Sequence, residues 1–238
     1  MSELINYYTE MPKKYKVKTQ QYKNFDKMHI MIPNRMALIG SSGSGKSNVL
    51  INLIIGMNCF TKIYMFVKCP DEPLYRFLIE EIEAIEEALK VKIVYVYSDI
   101  DELLPVDEYD RDETTLMIFD DVISEKQSKL KHIADLWIRG RKQNITTVFL
   151  SQSYYMISKL IRQNTEVLMF KKISTRKDLN MILADASLDA TLPQLQEMYK
   201  SCNTHSITDM FMIDKTSGQD PQYLYRHNWI GLPVPQIG

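Results

Sequence analysis

Residues 40–47 read Gly40-Ser41-Ser42-Gly43-Ser44-Gly45-Lys46-Ser47, residue types and a spacing that match G-x-x-x-x-G-K-[ST] at every fixed position. The chemistry this spacing serves is the cradling of a polyphosphate. Glycines let the backbone curl so that consecutive N–H groups point at an anion, and the N-terminus of a following helix adds partial positive charge. Lys46 is placed to reach the outer phosphates and the Ser47 hydroxyl to ligate Mg²⁺. Asn48, next in line, completes the candidate nucleotide-binding set Gly40 to Asn48. A merely flexible Gly/Ser loop would need neither the Lys-Ser pair nor a strand before it and a helix after it.

A second constellation is Leu116-Met117-Ile118-Phe119-Asp120-Asp121, four apolar residues followed by two carboxylates. Many strands end in an acidic turn, so the pattern alone is weak; downstream of a complete phosphate loop it gains meaning. Asp120 then holds the Mg²⁺ shell through water, and Asp121 polarises the water that attacks the γ-phosphate. Gln152 closes the apolar run Ile145 to Leu150, where a polar amide can contact both a γ-phosphate oxygen and the attacking water. The bland alternative is a Gln that only opens the next helix. Arg139 and Arg141 precede the same run, at its entry, too far from their own nucleotide in a monomer. They are a solvated basic loop or an arginine finger offered to a neighbouring subunit.

These residues need a scaffold, and the pattern supplies one. Met36–Ile39, Ile63–Val67, Ile93–Tyr97, Leu116–Phe119, Ile145–Leu150 and Val167–Phe170 are apolar runs of the kind a parallel sheet buries on both faces. Helical spacing follows the phosphate loop (Val49, Leu50, Leu53, Ile54). It recurs at Leu74, Phe77, Leu78, Ile82, Ile85 and Leu89, where it predicts an amphipathic helix with an acidic outer face. Leu130–Arg139 is a further helix that Gly140 is expected to terminate. Two more are expected around Asp178–Ala184 and Leu192–Tyr199. Thr208–Asp214 and Gln222–Arg226 predict a hairpin closed at Ser217-Gly218, with Met210, Met212, Tyr223 and Tyr225 facing together.

The 238 residues, 45% hydrophobic and 25% charged, suffice for one α/β core. A formal net charge of −1 declares no nucleic-acid partner globally, so any contact with DNA must come from local patches or a ring that gathers charge. Such patches exist at Lys13–Lys27, interleaved with Tyr15, Tyr22 and Phe25, and at Lys171–Lys177. A solvated arm packing its aromatics on its own domain is the favoured reading of the first. No apolar run approaches the ~18 residues of a membrane span, and no signal-peptide region opens the chain, so no membrane partner and an intracellular setting are expected. Cys59, Cys69 and Cys202 show no paired spacing and are expected to be buried, reduced thiols.

In their order, the Gly40–Ser47 loop, the strand ending in Asp120-Asp121, the Arg141–Ile145 turn and Gln152 resemble the FtsK/HerA superfamily. Within it the compact chain, the paired Asp motif and the short C-terminal hairpin look most like the genome-packaging ATPases of large eukaryotic DNA viruses and virophages. The resemblance spans Arg35 to Phe170. It implies a mostly parallel P-loop sheet sandwiched by helices, RecA/FtsK-HerA-like, with a C-terminal β-hairpin. It implies further an oligomeric ring, hexamer or pentamer, that hydrolyses ATP with Mg²⁺ and drives double-stranded DNA into a preformed capsid. Capsid proteins would then be partners, and the host cytoplasm or virion the location. On this resemblance Lys46, Asp121, Gln152 and Arg141 carry catalysis, while Ser47 and Asp120 hold the metal. Many relatives in the superfamily have Glu where Asp121 stands, one methylene longer. The expected division is an extension at 1–34, an ATPase core at 35–206 and a tail at 207–238. The main rival is a monomeric P-loop nucleoside or nucleotide kinase, although the Arg-dense stretch precedes a core strand instead of forming a lid. A GTPase would need an Asn-Lys-x-Asp motif that the later strands lack, and a scaffold with a remnant loop would not keep Lys46, Ser47, Asp120 and Asp121 intact.

Overall fold

A computed structural model describes residues 5, 7–12, 22–122, 127–173, 176–186, 188–216 and 220–236. Its frame is one nine-stranded sheet in the order β3-β2-β4-β5-β1-β6-β7-β8-β9. The strands are β1 (Arg35–Ile39), β2 (Lys62–Val67), β3 (Val94–Tyr97), β4 (Thr115–Asp120), β5 (Ile145–Ser151), β6 (Val167–Phe170), β7 (Phe211–Asp214), β8 (Tyr225–His227) and β9 (Ile230–Gly231). The first six pair in parallel; β7, β8 and β9 add antiparallel to the β6 side. Helices are α1 (Tyr7–Glu10), α2 (Phe25–Met28), α3 (Lys46–Met57), α4 (Pro73–Leu89), α5 (Gln127–Arg139), α6 (Lys159–Asn164), α7 (Arg176–Ala186) and α8 (Leu192–Ser201).

The apolar runs are continuous because both faces of the sheet are covered. Along β1, Met36 and Leu38 enter one core with Val49, Leu50 and Leu53 of α3 and Leu78 and Ile82 of α4. Ala37 and Ile39 enter the other, with Ile133, Leu136 and Trp137 of α5 and Ile182 of α7. The result is a helix–sheet–helix sandwich, as expected. Register then sets the site: Ile39 lies beside Ser151 and Phe170, and Asp120 beside Leu150 and Val67. All these strands end at one edge of the sheet, so the segments that leave them meet there.

Several expectations are corrected. Only part of the apolar stripe on α4 is covered: Phe77, Ile85 and Leu89 are exposed, while Tyr75, Leu78 and Ile82 are buried. α5 does end at Arg139, immediately before Gly140, but the chain runs straight on into a 3₁₀ turn, Gly140–Gln143, that Asn144 closes in the left-handed conformation at φ 56°. The C-terminal strands do pair as a hairpin, but Ile213 stands opposite Tyr225, and Met212 opposite Arg226. Met210 and Met212 therefore join the α3/α4 core and Tyr225 the opposite one. The turn residues Ser217 and Gly218 lie outside the described residues. Of the thiols, Cys202 is buried, Cys59 half-buried and Cys69 exposed. Lys171, counted with a basic surface stretch, is fully buried. In the N-terminal basic stretch, Lys13 to Gln21 lie outside the described residues. Tyr22 is buried against the domain, edge-to-face with Phe25 at 5.9 Å. No described helix is long and apolar enough to cross a membrane.

Candidate nucleotide site

The segment between β1 and α3 curls as its composition demands. Gly45 is the N-cap of α3 at φ 92°, a conformation that L side chains rarely adopt. A Cβ there would also stand 2.9 Å from Ile207 Cγ1 and 3.0 Å from the Ile207 carbonyl oxygen. At Gly40 the constraint is space alone, since a Cβ would lie 2.6 Å from both Lys171 Cβ and Ser44 Oγ. The Gly40 amide donates to the Ser151 carbonyl, and the Ser41 amide to the Lys172 carbonyl, which fixes the loop between β5 and β6. Asn48 turns its side-chain amide to the Ile207 carbonyl at 3.2 Å.

Lys46 Nζ donates to the carbonyls of Gly40 at 2.9 Å and Ser41 at 3.3 Å, folded over its own loop. Burial lowers its pKa, opposed by the negative field of Asp120, Asp121 and Glu72. Asp120 has the complementary problem: burial raises its pKa, while a Tyr75 hydrogen bond and the Lys46 charge pull it back. The Tyr75 hydroxyl donates to Asp120 Oδ2 at 2.6 Å, and Ser47 is near enough to the phenol to pull its pKa down. One phenol thus holds the carboxylate expected to serve a metal, and it lines the same cleft as Ser47. Asp121 follows in the left-handed conformation, φ 56°, which an Asp tolerates better than most side chains.

These groups share one cleft of about 710 Å³, whose lining includes Gly45, Lys46, Ser47, Asp120, Asp121 and Gln152. Gln152 is there because β5 is inserted between β1 and β4, so its end falls between the phosphate loop and the acids. The chain beyond Gln152 is held from behind. Buried Asp178 of α7 accepts from Ser153 Oγ at 3.0 Å and from the Tyr155 amide at 3.0 Å.

Arg141 is not brought to this cleft. It pairs with Glu166, which also binds Arg35 at 3.0 Å, at the opposite ends of β5 and β1. A seven-residue strand at ~3.3 Å per residue puts it roughly 20 Å away. Arg139 is likewise engaged, with Asp107 at 2.6 Å and Asp135 at 3.1 Å. Among the contributors to the cleft that lie outside the motifs are Tyr75, Glu72, Cys69 and Ile207. Tyr75 and Ile207 reach it from α4 and from the chain before β7, contacts that no local spacing encodes.

The sheet order and the loop between β1 and α3 define a P-loop α/β protein. Comparison then narrows the class: the chain belongs to the Poxvirus A32 protein family, whose model matches residues 22–217. It is 29% identical over 168 residues to the DNA packaging protein OPG160 of monkeypox virus, covering 68% of this chain and 56% of that one. The vaccinia virus (strain Copenhagen) protein of the same name matches at 29% too, with 62% of its length covered. This chain therefore matches only 56–62% of the length of these relatives. In structure it is similar to the genome packaging NTPase B204 from Sulfolobus turreted icosahedral virus 2. The AMP complex of B204 aligns with TM-score 0.55 at 15% identity, over 82% of this chain and 96% of that one. The ATP-gammaS complex aligns with TM-score 0.55, over 86% of this chain and all of that one.

Proposed function

We propose that this chain is the ATP-hydrolysing subunit of a motor that packages double-stranded viral DNA into a preformed capsid. The observation that carries the reading is the convergence at one strand edge of Lys46, the acids of β4 and, between them, Gln152. The residues fit a bound polyphosphate: Ser44 Oγ is buried with no hydrogen-bond partner, and Lys46 rests on carbonyls that it can leave for phosphate oxygens. They also fit a divalent cation, since the Ser47 hydroxyl and the Asp120 carboxylate, both hard oxygen donors, line the same cleft. Mg²⁺ bound there supplies charge neutralisation across the outer phosphates. Ser47 and Asp120 would hold it, and Gly40 to Asn48 would wrap the phosphates. Asp121 takes the proton of the attacking water, and Gln152 orients that water and senses loss of the γ-phosphate. The poxvirus relatives' name, DNA packaging protein, supports DNA as the partner.

Arg141 can serve this reaction only in a neighbour's cleft, after exchanging Glu166 for phosphate charge. That makes the working form a ring, hexameric or pentameric, which meets the capsid in the infected cell's cytoplasm or in the virion. The test is the steady-state ATPase rate per subunit against protein concentration, with and without double-stranded DNA. The rate is expected to rise steeply with concentration and again with DNA, and Lys46→Ala to abolish it. Arg141→Ala should keep nucleotide binding but lose about 10³-fold of the assembled rate, the scale of an arginine finger. A flat, DNA-independent rate overturns the motor. Normal turnover by Arg141→Ala at high concentration overturns the finger.

A further inference from the structure

The sheet order gives the cleft a direction. Asp120, Asp121 and Gln152 stand on one flank of the phosphate loop, at the ends of β4 and β5, while β6 and β7 lie on the other flank of β1. A triphosphate whose outer phosphate faces the acids must lead its nucleoside away from them, across the N-terminus of α3. On that side stands Ile207. It is 60% exposed, it lines the cleft, its Cγ1 abuts Gly45, and its carbonyl accepts from Asn48 of α3.

The loop that carries it is built to hold still. Lys171, fully buried directly after β6, donates from Nζ to the Ser206 carbonyl at 2.6 Å and to the Asp209 carbonyl. The Ser206 and Thr208 hydroxyls bond each other at 2.9 Å across Ile207. The Asp209 carboxylate is met by His227 Nε2 at 3.1 Å and by Asn228 Nδ2 at 3.3 Å. A buried cation and a set of polar clamps therefore fix the backbone on both sides of an isoleucine that is left in water. Exposing an apolar side chain on so constrained a loop wastes its burial, unless a flat apolar group comes to cover it.

We propose that Ile207 is the platform on which the base of a bound nucleoside triphosphate lies; the assignment rests on the nucleotide reading above. The contact is to the ring face. An aliphatic platform rewards area and ignores the hydrogen-bond pattern of a base's edge, so the site holds ATP and GTP alike and holds CTP less tightly. The C-terminal part of the chain thereby contributes directly to substrate binding, through one side chain seated against the phosphate loop.

Calorimetric titration of the full chain with ATP, GTP, CTP and inorganic tripolyphosphate separates base from phosphate. Ile207→Ser is expected to weaken ATP and GTP by about tenfold and leave tripolyphosphate unchanged, whereas Ile207→Leu retains both within about twofold. The position is exposed, and circular dichroism melting of each variant checks that the fold is intact. Unchanged ATP affinity in Ile207→Ser overturns the platform, as does an equal loss of tripolyphosphate, which would place the effect in the phosphate loop. A wild-type chain that binds ATP no more tightly than tripolyphosphate also overturns it while leaving the anion site standing. Failure to bind either ligand overturns the nucleotide reading itself, and the platform with it.

Discussion

Tyr75 is the residue whose role is least visible in sequence. It sits in an amphipathic stretch and matches no motif, yet it is buried and hydrogen-bonded to Asp120, in the same cleft lining as Ser47. Burial raises its pKa first, and the Asp120 charge adds to this, so the phenol remains a donor throughout the working range. Tyr75→Phe leaves a buried carboxylate short of one donor and is expected to cost about 2 kcal/mol in urea unfolding. The same variant should shift the Mg²⁺ midpoint of nucleotide binding, because the hydroxyl that orients the Asp120 carboxylate is gone; an unchanged midpoint would confine Tyr75 to stability. By contrast, Gly45, Lys46 and Ser47 were legible, since a phosphate loop is local and its geometry is written in consecutive residues. Lys171 misled because a lysine among lysines reads as surface, and only the fold shows the two carbonyls that pay for its burial.

At the level of elements, the parallel strands and their helices were readable from apolar runs and 3.6-residue spacing, while their neighbours were not. The faces of the hairpin could not be read without the register that sets Ile213 against Tyr225, and much of the stripe of α4 is left exposed among the described residues. The link from α4 to β3 shows how such an element is pinned. Glu86 accepts the Ile93 and Val94 amides at 2.6 Å each and Lys92 Nζ at 2.9 Å. Burial alone would raise its pKa, but Lys92 and the two amides outweigh that and hold it below the ordinary glutamate value. A depressed folded-state pKa gives stability that is present above the unfolded value of about 4.3 and is lost as pH falls through the folded value. Glu86→Gln should therefore flatten the acid limb of stability between about pH 5 and pH 3, measured by denaturant titration at stepped pH. An acid limb identical to wild type would remove Glu86 from that account.

Over the whole molecule, a fully buried ion pair joins neighbouring strands of the C-terminal hairpin, Asp214 of β7 with Arg226 of β8. Arg226 also donates to the carbonyls of Met28 at 2.7 Å and His29 at 2.8 Å, nearly two hundred residues away. Arg226→Met is expected to cost about 3–5 kcal/mol by removing the buried cation that balances the Asp214 charge, and adding Asp214→Leu should recover part of it. A double variant no more stable than the single one would show that the carbonyl contacts dominate instead. No sequence pattern announces the long-range contacts of Arg226 with the Met28 and His29 carbonyls. The three thiols are unequal across this architecture. Burial pushes Cys59 up to about 12 and Cys202 up to about 11, so both stay protonated at neutral pH. Cys69 is exposed on the wall of the cleft. An alkylating reagent therefore finds one favoured position on this protein, and that position carries a natural attachment point for a dye that watches the cleft fill and empty.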